Sequence, residues 1–97
     1  MDAGPFAERR FELSGADVIA RFYNPSRAPT GEYRCDWTIT WPDRVQRRHT
    51  CGIDSVQALM LAMRVAHVEL MESDGYKAGL LKFDGDGDLG LPPAWDS

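Results

Sequence analysis

The sequence predicts an α+β fold, in which a four-stranded antiparallel sheet carries one long helix packed across one face. Three observations predict it. Residues 33–41 alternate apolar and polar side chains at every position, which is the pattern of a half-buried strand. Residues 54–73 instead repeat apolar side chains at helical spacing. Turn signals separate the extended segments that precede this helix, so the strands can pair as hairpins.

The strands are predicted at residues 8–13, 17–23, 33–41 and 44–51. A Ser-Gly-Ala-Asp turn signal joins the first pair, and Pro42-Asp43 joins the second pair, because proline fixes φ for a tight turn. The break between the pairs contains two prolines and no periodicity, which predicts a surface loop. The fourth strand is poor in apolar residues, as is typical of an edge strand or of a functional face.

The helix has well-marked ends. Asp54 is placed to act as N-cap, and Gln57 stands three residues later, as in a capping box. Ile53 and Ala58 have the spacing of a hydrophobic staple. Ser73-Asp74-Gly75 predicts the stop, because glycine adopts the left-handed conformation that closes a helix.

Two apolar stripes run along this helix. The first is predicted to face the sheet and consists of Val56, Leu59, Met63, Ala66 and Leu70. The second lies where a solvent-facing helix would carry charges, and it consists of Ala58, Leu61, Val65 and Val68. The sequence leaves two candidates to cover it. One is the tail, residues 76–97, predicted as coil or a short strand, and the other is the same helix of a second copy in a homodimer.

Composition narrows the function classes. A single domain of 97 residues with 43% hydrophobic residues can bury a simple core. The net charge of −4 argues against general affinity for nucleic acid, which depends on neutralising phosphates. No apolar run is long enough to span a bilayer, and the N-terminal segment lacks the order of a signal peptide. We therefore expect a cytoplasmic protein without membrane contact.

Arginines cluster on the last predicted hairpin, beside a tryptophan. Arginine next to an aromatic side chain can bind an acidic protein surface or stack on bases, and the alternative is a charged edge that keeps the sheet soluble. We combine this hairpin with the second helix stripe as the candidate interface. Its residues are Arg34, Trp41, Arg44, Arg47, Arg48, Leu61, Val65 and Val68.

A cysteine and a histidine offer a different function. His49 and Cys51 are two residues apart on a strand and share a face, and Cys35 is expected across from them. Such a pair can form a thiolate nucleophile, although no orienting carboxylate or oxyanion hole is evident. A small-molecule site or a thiol-dependent hydrolase is therefore the alternative to a non-enzymatic domain.

The aspartates of the tail resemble a calcium loop only in part. Asp84, Asp86 and Asp88 alternate as calcium ligands do. Leu89 and Trp95, however, occupy the positions at which an EF-hand loop requires glycine and glutamate. We expect an acidic surface turn, with no bound metal and no cofactor.

The helix start, Gly52-Ile-Asp-Ser-Val-Gln-Ala-Leu, and the tail segment Asp88-Leu-Gly-Leu-Pro92 together resemble a family of small bacterial proteins of unknown function. Such families are similar in size and layout to immunity proteins and other accessory modules of bacteria. The resemblance therefore implies, by analogy, a non-enzymatic role in binding another protein or a second copy. The resemblance implies no catalytic residue in this sequence.

Overall fold

An antiparallel sheet and one long helix form the two layers of the computed structural model, which describes residues 4–93. The helices are α1 (Ser55–Met71) and the short α2 (Asp74–Lys77). The strands are β1 (Ala7–Leu13), β2 (Ala16–Phe22), β3 (Ser26–Arg27), β4 (Tyr33–Thr40), β5 (Val45–Gly52) and β6 (Leu81–Lys82). The predicted α+β class is confirmed, whereas the prediction of four strands is wrong. β3 was missed because two residues are too few to show a period, whereas β6 is the short strand that the sequence offered for the tail.

The strands lie in the order β5, β4, β2, β1 and β6, and every neighbouring pair is antiparallel. β3 pairs with the start of β4, on the side of β4 that β2 also occupies. β5 pairs with the whole of β4 on the opposite side. β5 and β6 are therefore the two edges of the sheet.

The core lies between the sheet and α1. Alternate side chains of the strands point towards the helix, and Phe11, Phe22 and Trp37 among them are almost fully buried. The intervening side chains of β4 and β5 point the other way and are mostly exposed. We call the first side the inner face of the sheet and the second side the outer face.

The start of α1 confirms the predicted cap and corrects the predicted staple. Asp54 Oδ1 accepts a hydrogen bond from the Gln57 backbone N–H at 2.8 Å. Gln57 Oε1 in turn accepts one from the Ile53 backbone N–H at 2.8 Å, so two free donors at the helix start are paired. Ile53 is 82% exposed, so it forms no staple with the buried Ala58.

The side of α1 that faces the sheet differs from the prediction. Its fully buried residues are Ala58, Ala62, Ala66 and Leu70. Val56, predicted in the core, is 63% exposed, and Ala58, predicted on the second stripe, is in the core. The reason is steric, because the sheet supplies large aromatic side chains and leaves room for alanines along most of a closely packed helix, with Leu70 buried near its end.

The end of α1 also differs from the prediction. The helix stops at Met71, and Ser73 caps α2 by accepting a hydrogen bond from the Tyr76 backbone N–H. Gly75 lies inside α2, close to the Leu13 side chain. The glycine with left-handed backbone is Gly79, which follows α2.

The tail packs beside α1 on the side of β1. Leu81 and Leu89 are buried in the core. Arg9 holds the tail, because its Nη1 donates to the Gly90 carbonyl at 2.6 Å and its guanidinium lies 4.2 Å from the Phe83 ring centroid. The last described contact lies at the helix, where His67 Nδ1 is 2.8 Å from the Pro92 carbonyl oxygen. None of the helices within residues 4–93 has the length and apolar character to cross a membrane.

We predict that Gly52→Ala destabilises the protein. A Cβ at residue 52 would lie 2.5 Å from the Ala58 backbone nitrogen, so the helix start would have to move away from the sheet. We expect a loss of about 1–3 kcal/mol in the free energy of unfolding, measured by urea denaturation.

Gly87→Ala is the matched control, because a Cβ at residue 87 meets no atom within 4 Å and its φ is not positive. It should leave stability unchanged or raise it by a few tenths of a kcal/mol through the unfolded state. Equal stabilities of the two variants would contradict the close approach of α1 to β5.

Candidate functional site

The outer face of β4 and β5 carries a band of polar side chains. Directly paired residues of neighbouring antiparallel strands share a face, so Asp36 lies beside His49 and Thr38 lies beside Arg47. Arg34 and Cys51 form the next pair. The strict alternation of β4 therefore places every polar residue of that strand on the open side of the molecule.

A shallow groove of about 760 Å³ lies on this face. Thr38, only 7% exposed, and Tyr23 from the segment after β2 are among its lining residues. Its lining also includes Arg34 from β4 and Arg47 and His49 from β5. We call this feature the outer groove. Its shape suits contact with a protein segment better than the enclosure of a small ligand.

The arginines of the outer groove differ in how they are paired. Arg34 Nε is 2.9 Å from Asp36 Oδ1, in an ion pair whose two side chains are about half exposed and which therefore contributes little to stability. The Arg47 guanidinium forms no ion pair or hydrogen bond with any residue from 4 to 93. Arg47 is therefore the cation of this surface that is free to meet a negatively charged partner.

Trp41 lies inside the protein, although the sequence placed it in the candidate interface. It is 5% exposed, and its Nε1 donates to Gln46 Oε1 at 2.5 Å. Gln46 Nε2 donates onward to Glu69 Oε1 at 3.2 Å, which ties the hairpin to α1. The Arg44 guanidinium covers the indole ring at 4.9 Å. These two residues therefore hold the end of the β4–β5 hairpin in place and lie apart from the outer groove.

The second helix stripe lies towards β5. On a wheel of about 100° per residue, Leu61 and Val65 fall on one side of the buried alanines and His67 falls on the other. His67 contacts the tail near β1, so the side with Leu61 and Val65 is the one nearest β5. Leu61, Val65 and Val68 are all half-buried. The described part of the tail, predicted as one possible cover, contacts the helix on the His67 side.

The three residues of the alternative thiol site do not come together. His49 and Cys51 share the outer face, and Cys51 is exposed, as the sequence predicted. Cys35 points to the inner face and is fully buried, so the expectation that it lies across from them is wrong. Cys51 pairs with Arg34, whereas Cys35 pairs with Thr50. A shift of one residue in the pairing places the Cys35 side chain on the face opposite to Cys51.

Burial also removes Cys35 as a nucleophile. Loss of contact with water, together with the smaller effect of the nearby Asp36 charge, raises the pKa of its thiol to about 11. The thiol therefore stays protonated at neutral pH, and its Sγ donates a hydrogen bond to the Tyr23 carbonyl at 3.3 Å.

The aspartates of the tail contact their own backbone. Asp86 Oδ1 accepts from the Asp88 N–H at 3.1 Å, and Asp88 Oδ1 accepts from the Gly90 N–H at 2.9 Å. Asp84 takes a left-handed backbone at the turn. No group of three or more potential metal ligands is found among residues 4–93. Trp95, which entered the comparison with a calcium loop, lies outside the described residues.

Sequence reasoning missed two features of this surface. Thr38, Tyr23, Asp36 and His49 were not included in the candidate interface, although the alternation of residues 33–41 already placed Asp36 and Thr38 beside Arg34. It also missed the exposed apolar residues at the start of α1, which are Ile53, Val56 and Met60. Val56 went unnoticed because the predicted buried stripe, correct at Ala66 and Leu70, included it in the core.

Comparison with known families gives one match. The family described as a domain of unknown function (DUF6968) matches residues 7–93, which span both layers of the fold. No curated protein and no solved structure matches the chain. The expected resemblance to a family of unknown function is thereby confirmed, whereas its bacterial source stays a prediction.

We predict that one of the two cysteines reacts with a thiol reagent in the folded protein. Cys51 is exposed and should react at once, whereas Cys35 should react only after unfolding, because it is buried and protonated. Ellman's reagent with and without denaturant measures this. Cys51→Ser should abolish the native reaction, and a fast reaction of that variant would contradict the burial of Cys35.

We also predict that Cys35 makes stability fall at alkaline pH. Its pKa is raised from 9.0 to about 11 in the folded state, so its contribution is complete below pH 9 and is lost as the pH rises towards 11. The unfolding midpoint of the native protein should therefore fall more steeply over this range than that of Cys35→Ala. Parallel curves for the two proteins would contradict the raised pKa.

Proposed function

The chain belongs to the DUF6968 family, a domain of unknown function, and we propose that it is a non-enzymatic module that binds another protein through the outer groove. The observation that carries this proposal is the unpaired Arg47 guanidinium beside the groove. A cation that forms no ion pair with any residue from 4 to 93 contributes little to folding and is free to contribute to recognition.

The distribution of charge supports an acidic partner. Residues 1–53, which include the strands around the groove, carry a formal charge of +1, whereas residues 54–97 carry −5. Arg34, Arg47 and Asp36 line the groove and carry their side chains on the outer face, whereas Arg48, which also lines it, pairs with Trp37 and carries its side chain on the inner face. An acidic protein surface would be attracted to this face and repelled by the acidic half of the chain, which fixes its orientation.

A catalytic role has less support from the same surface. The thiol site would use Cys51 with His49, which share the outer face, whereas Cys35, the third residue considered for it, lies on the opposite face of the sheet. The groove volume falls in the range of about 300–1,000 Å³ that ligand pockets occupy, which favours a small-molecule site as second candidate. Polar and charged residues make up most of its lining, whereas ligand pockets are mostly apolar and enclosed, so a protein partner is the better fit. A cytoplasmic location and a bacterial source form part of this proposal.

We predict that Arg47→Glu weakens binding to an acidic peptide. The probe is a fluorescein-labelled peptide of alternating glutamate and proline, which carries the charge but cannot pair as a strand. Reversing the charge of an unpaired arginine should raise the dissociation constant about tenfold, measured by fluorescence anisotropy at low salt. Added salt should weaken binding of the native protein.

Arg27→Glu is the matched control, because Arg27 is exposed on the short strand β3 and pairs with Tyr33, whose side chain lies on the inner face. It carries the same change of charge outside the groove and should bind as the native protein does. Equal loss in both variants, or no binding of the native protein, would overturn the proposal. Tighter binding to a single-stranded oligothymidylate than to the peptide would redirect it to nucleic acid.

A further inference from the structure

β5 is an open edge. Within residues 4–93 it pairs with β4 alone, and no other strand lies along its second side. Its eight residues make it as long as β4, the longest strands of the sheet. An edge strand of this length presents a row of backbone donors and acceptors to any extended chain that approaches it.

The hairpin geometry identifies which backbone groups are free. The Trp41 N–H donates to the Arg44 carbonyl at 2.8 Å, so residues 41 and 44 form a hydrogen-bonded pair. Hydrogen-bonded and non-hydrogen-bonded pairs alternate in an antiparallel ladder. Gln46, Arg48 and Thr50 therefore bond to β4, whereas the N–H and C=O groups of Val45, Arg47, His49 and Cys51 point to the open edge.

The free backbone groups and the free charge belong to the same residues. Along a strand, every second residue turns its backbone groups to the same edge and its side chain to the same face. Val45, Arg47 and His49 therefore also carry their side chains on the outer face. A strand that paired with this edge would set its own residues opposite Arg47 and His49 on that face. Acidic side chains at those positions would meet the unpaired guanidinium.

The inner face at this edge combines polar and apolar side chains. Gln46, Arg48 and Thr50 of β5 carry their side chains there, because their partners on β4 point towards the helix. Leu61, Val65 and Val68 of α1 lie on the β5 side of the helix and are half-buried. Neighbouring strands lie about 4.8 Å apart, so one further strand beside β5 would run beneath this side of α1. Its inward side chains would then bury the part of the stripe that remains exposed to water.

We propose that the β5 edge binds an extended segment of another protein by strand addition, with acidic residues on its outer side alternating with apolar residues on its inner side. The proposal rests on the binding function proposed above and adds the conformation and the sequence pattern of the partner. It joins the arginine-bearing hairpin and the helix stripe in one surface, because both border the same edge.

A second copy of the chain fits this edge less well. In an antiparallel dimer through β5, Val45 of one copy could pair with Cys51 of the other. Arg48 would then lie directly opposite Arg48 of the second copy, and Arg47 of each copy would be the neighbouring residue along the strand. Like charges opposite one another destabilise a strand pair. Arg47 on the outer face attracts the acidic residues of a different segment, so charge complementarity selects a different protein as the occupant.

The test uses the 97-residue chain and a labelled peptide about eight residues long that alternates glutamate and valine. N-methylation of alternate backbone amides removes hydrogen bonds on one edge of the peptide only. One methylated series should raise the dissociation constant at least about tenfold, and the other series, shifted by one residue, should bind as the parent does. Equal effects of the two series would overturn strand addition.

Hydrogen exchange locates the contact. In the free protein the Arg47 and His49 amides should exchange faster than the Arg48 amide, because only Arg48 bonds to β4. Addition of the peptide should slow exchange at Arg47 and His49. Unchanged exchange at these two amides in the bound state would place the peptide elsewhere and overturn the proposal.

Two helix variants test the inner side. Val68→Glu places a charge on the stripe beside β5 and should weaken peptide binding about tenfold. Val56→Glu makes the same change at a residue that is 63% exposed on the other side of α1 and should have no effect. Circular dichroism checks that both variants fold, and equal binding by the two would remove α1 from the surface.

The outcomes separate the two proposals. If the glutamate–proline peptide binds as tightly as the glutamate–valine peptide, and both depend on Arg47, the charged groove stands and strand addition fails. If strand-like binding occurs without any effect of Arg47→Glu, the edge stands and the charged groove fails. A concentration-dependent dimer in light scattering, with protection of Arg47 and His49 without peptide, would identify a second copy as the occupant and overturn this proposal.

Discussion

The close approach of α1 to the sheet is the constraint on which the rest of the structure depends. A Cβ at Gly52 would collide with the helix backbone, and Ala58, Ala62 and Ala66 are the residues that α1 buries against the strands. Small side chains on the helix leave room for the aromatic side chains of the sheet, among them Trp37. The Thr50 hydroxyl strengthens this contact by donating to the Ala58 carbonyl at 3.0 Å. The glycine of the helix-start motif is thus required by packing, and the Asp and Gln of the motif are required by capping.

The same packing determines which apolar residues stay accessible. Because α1 contacts the sheet through its alanines, its larger side chains lie to either side of the contact. The tail and Arg9 enclose the side near β1, where His67 meets Pro92. On the side near β5 the sheet ends after one strand, so Leu61 and Val65 remain half-buried. The asymmetry of the sheet around the helix is therefore the physical origin of the surface to which we assign binding.

The polar contacts at the end of the β4–β5 hairpin keep this edge in a fixed position. Trp41, Gln46 and Glu69 form a chain of hydrogen bonds that joins β4, β5 and α1. Arg44 covers the indole ring from outside. An edge strand that is held at both ends, by this chain and by the Gly52 contact, loses little conformational entropy when a partner pairs with it. Rigid positioning of β5 therefore supports recognition without any rearrangement of the fold.

The sequence by itself determined the features that depend on neighbouring residues. The alternation of apolar and polar residues from Tyr33 to Trp41 defined the central strand and its solvent-exposed face. Asp54 with Gln57 defined the helix start. Both signals are local, because the periodicity of side chains and the capping of a helix involve only neighbouring residues. Features that depend on distant residues were decided by the tertiary structure. Which side of α1 is buried follows from the bulk of the opposing sheet, so Val56 proved exposed and Ala58 buried. The separation of Cys35 from Cys51 follows from strand register, and the open edge of β5 follows from strand order. Both arise from pairings between segments far apart in the chain, which no local pattern records.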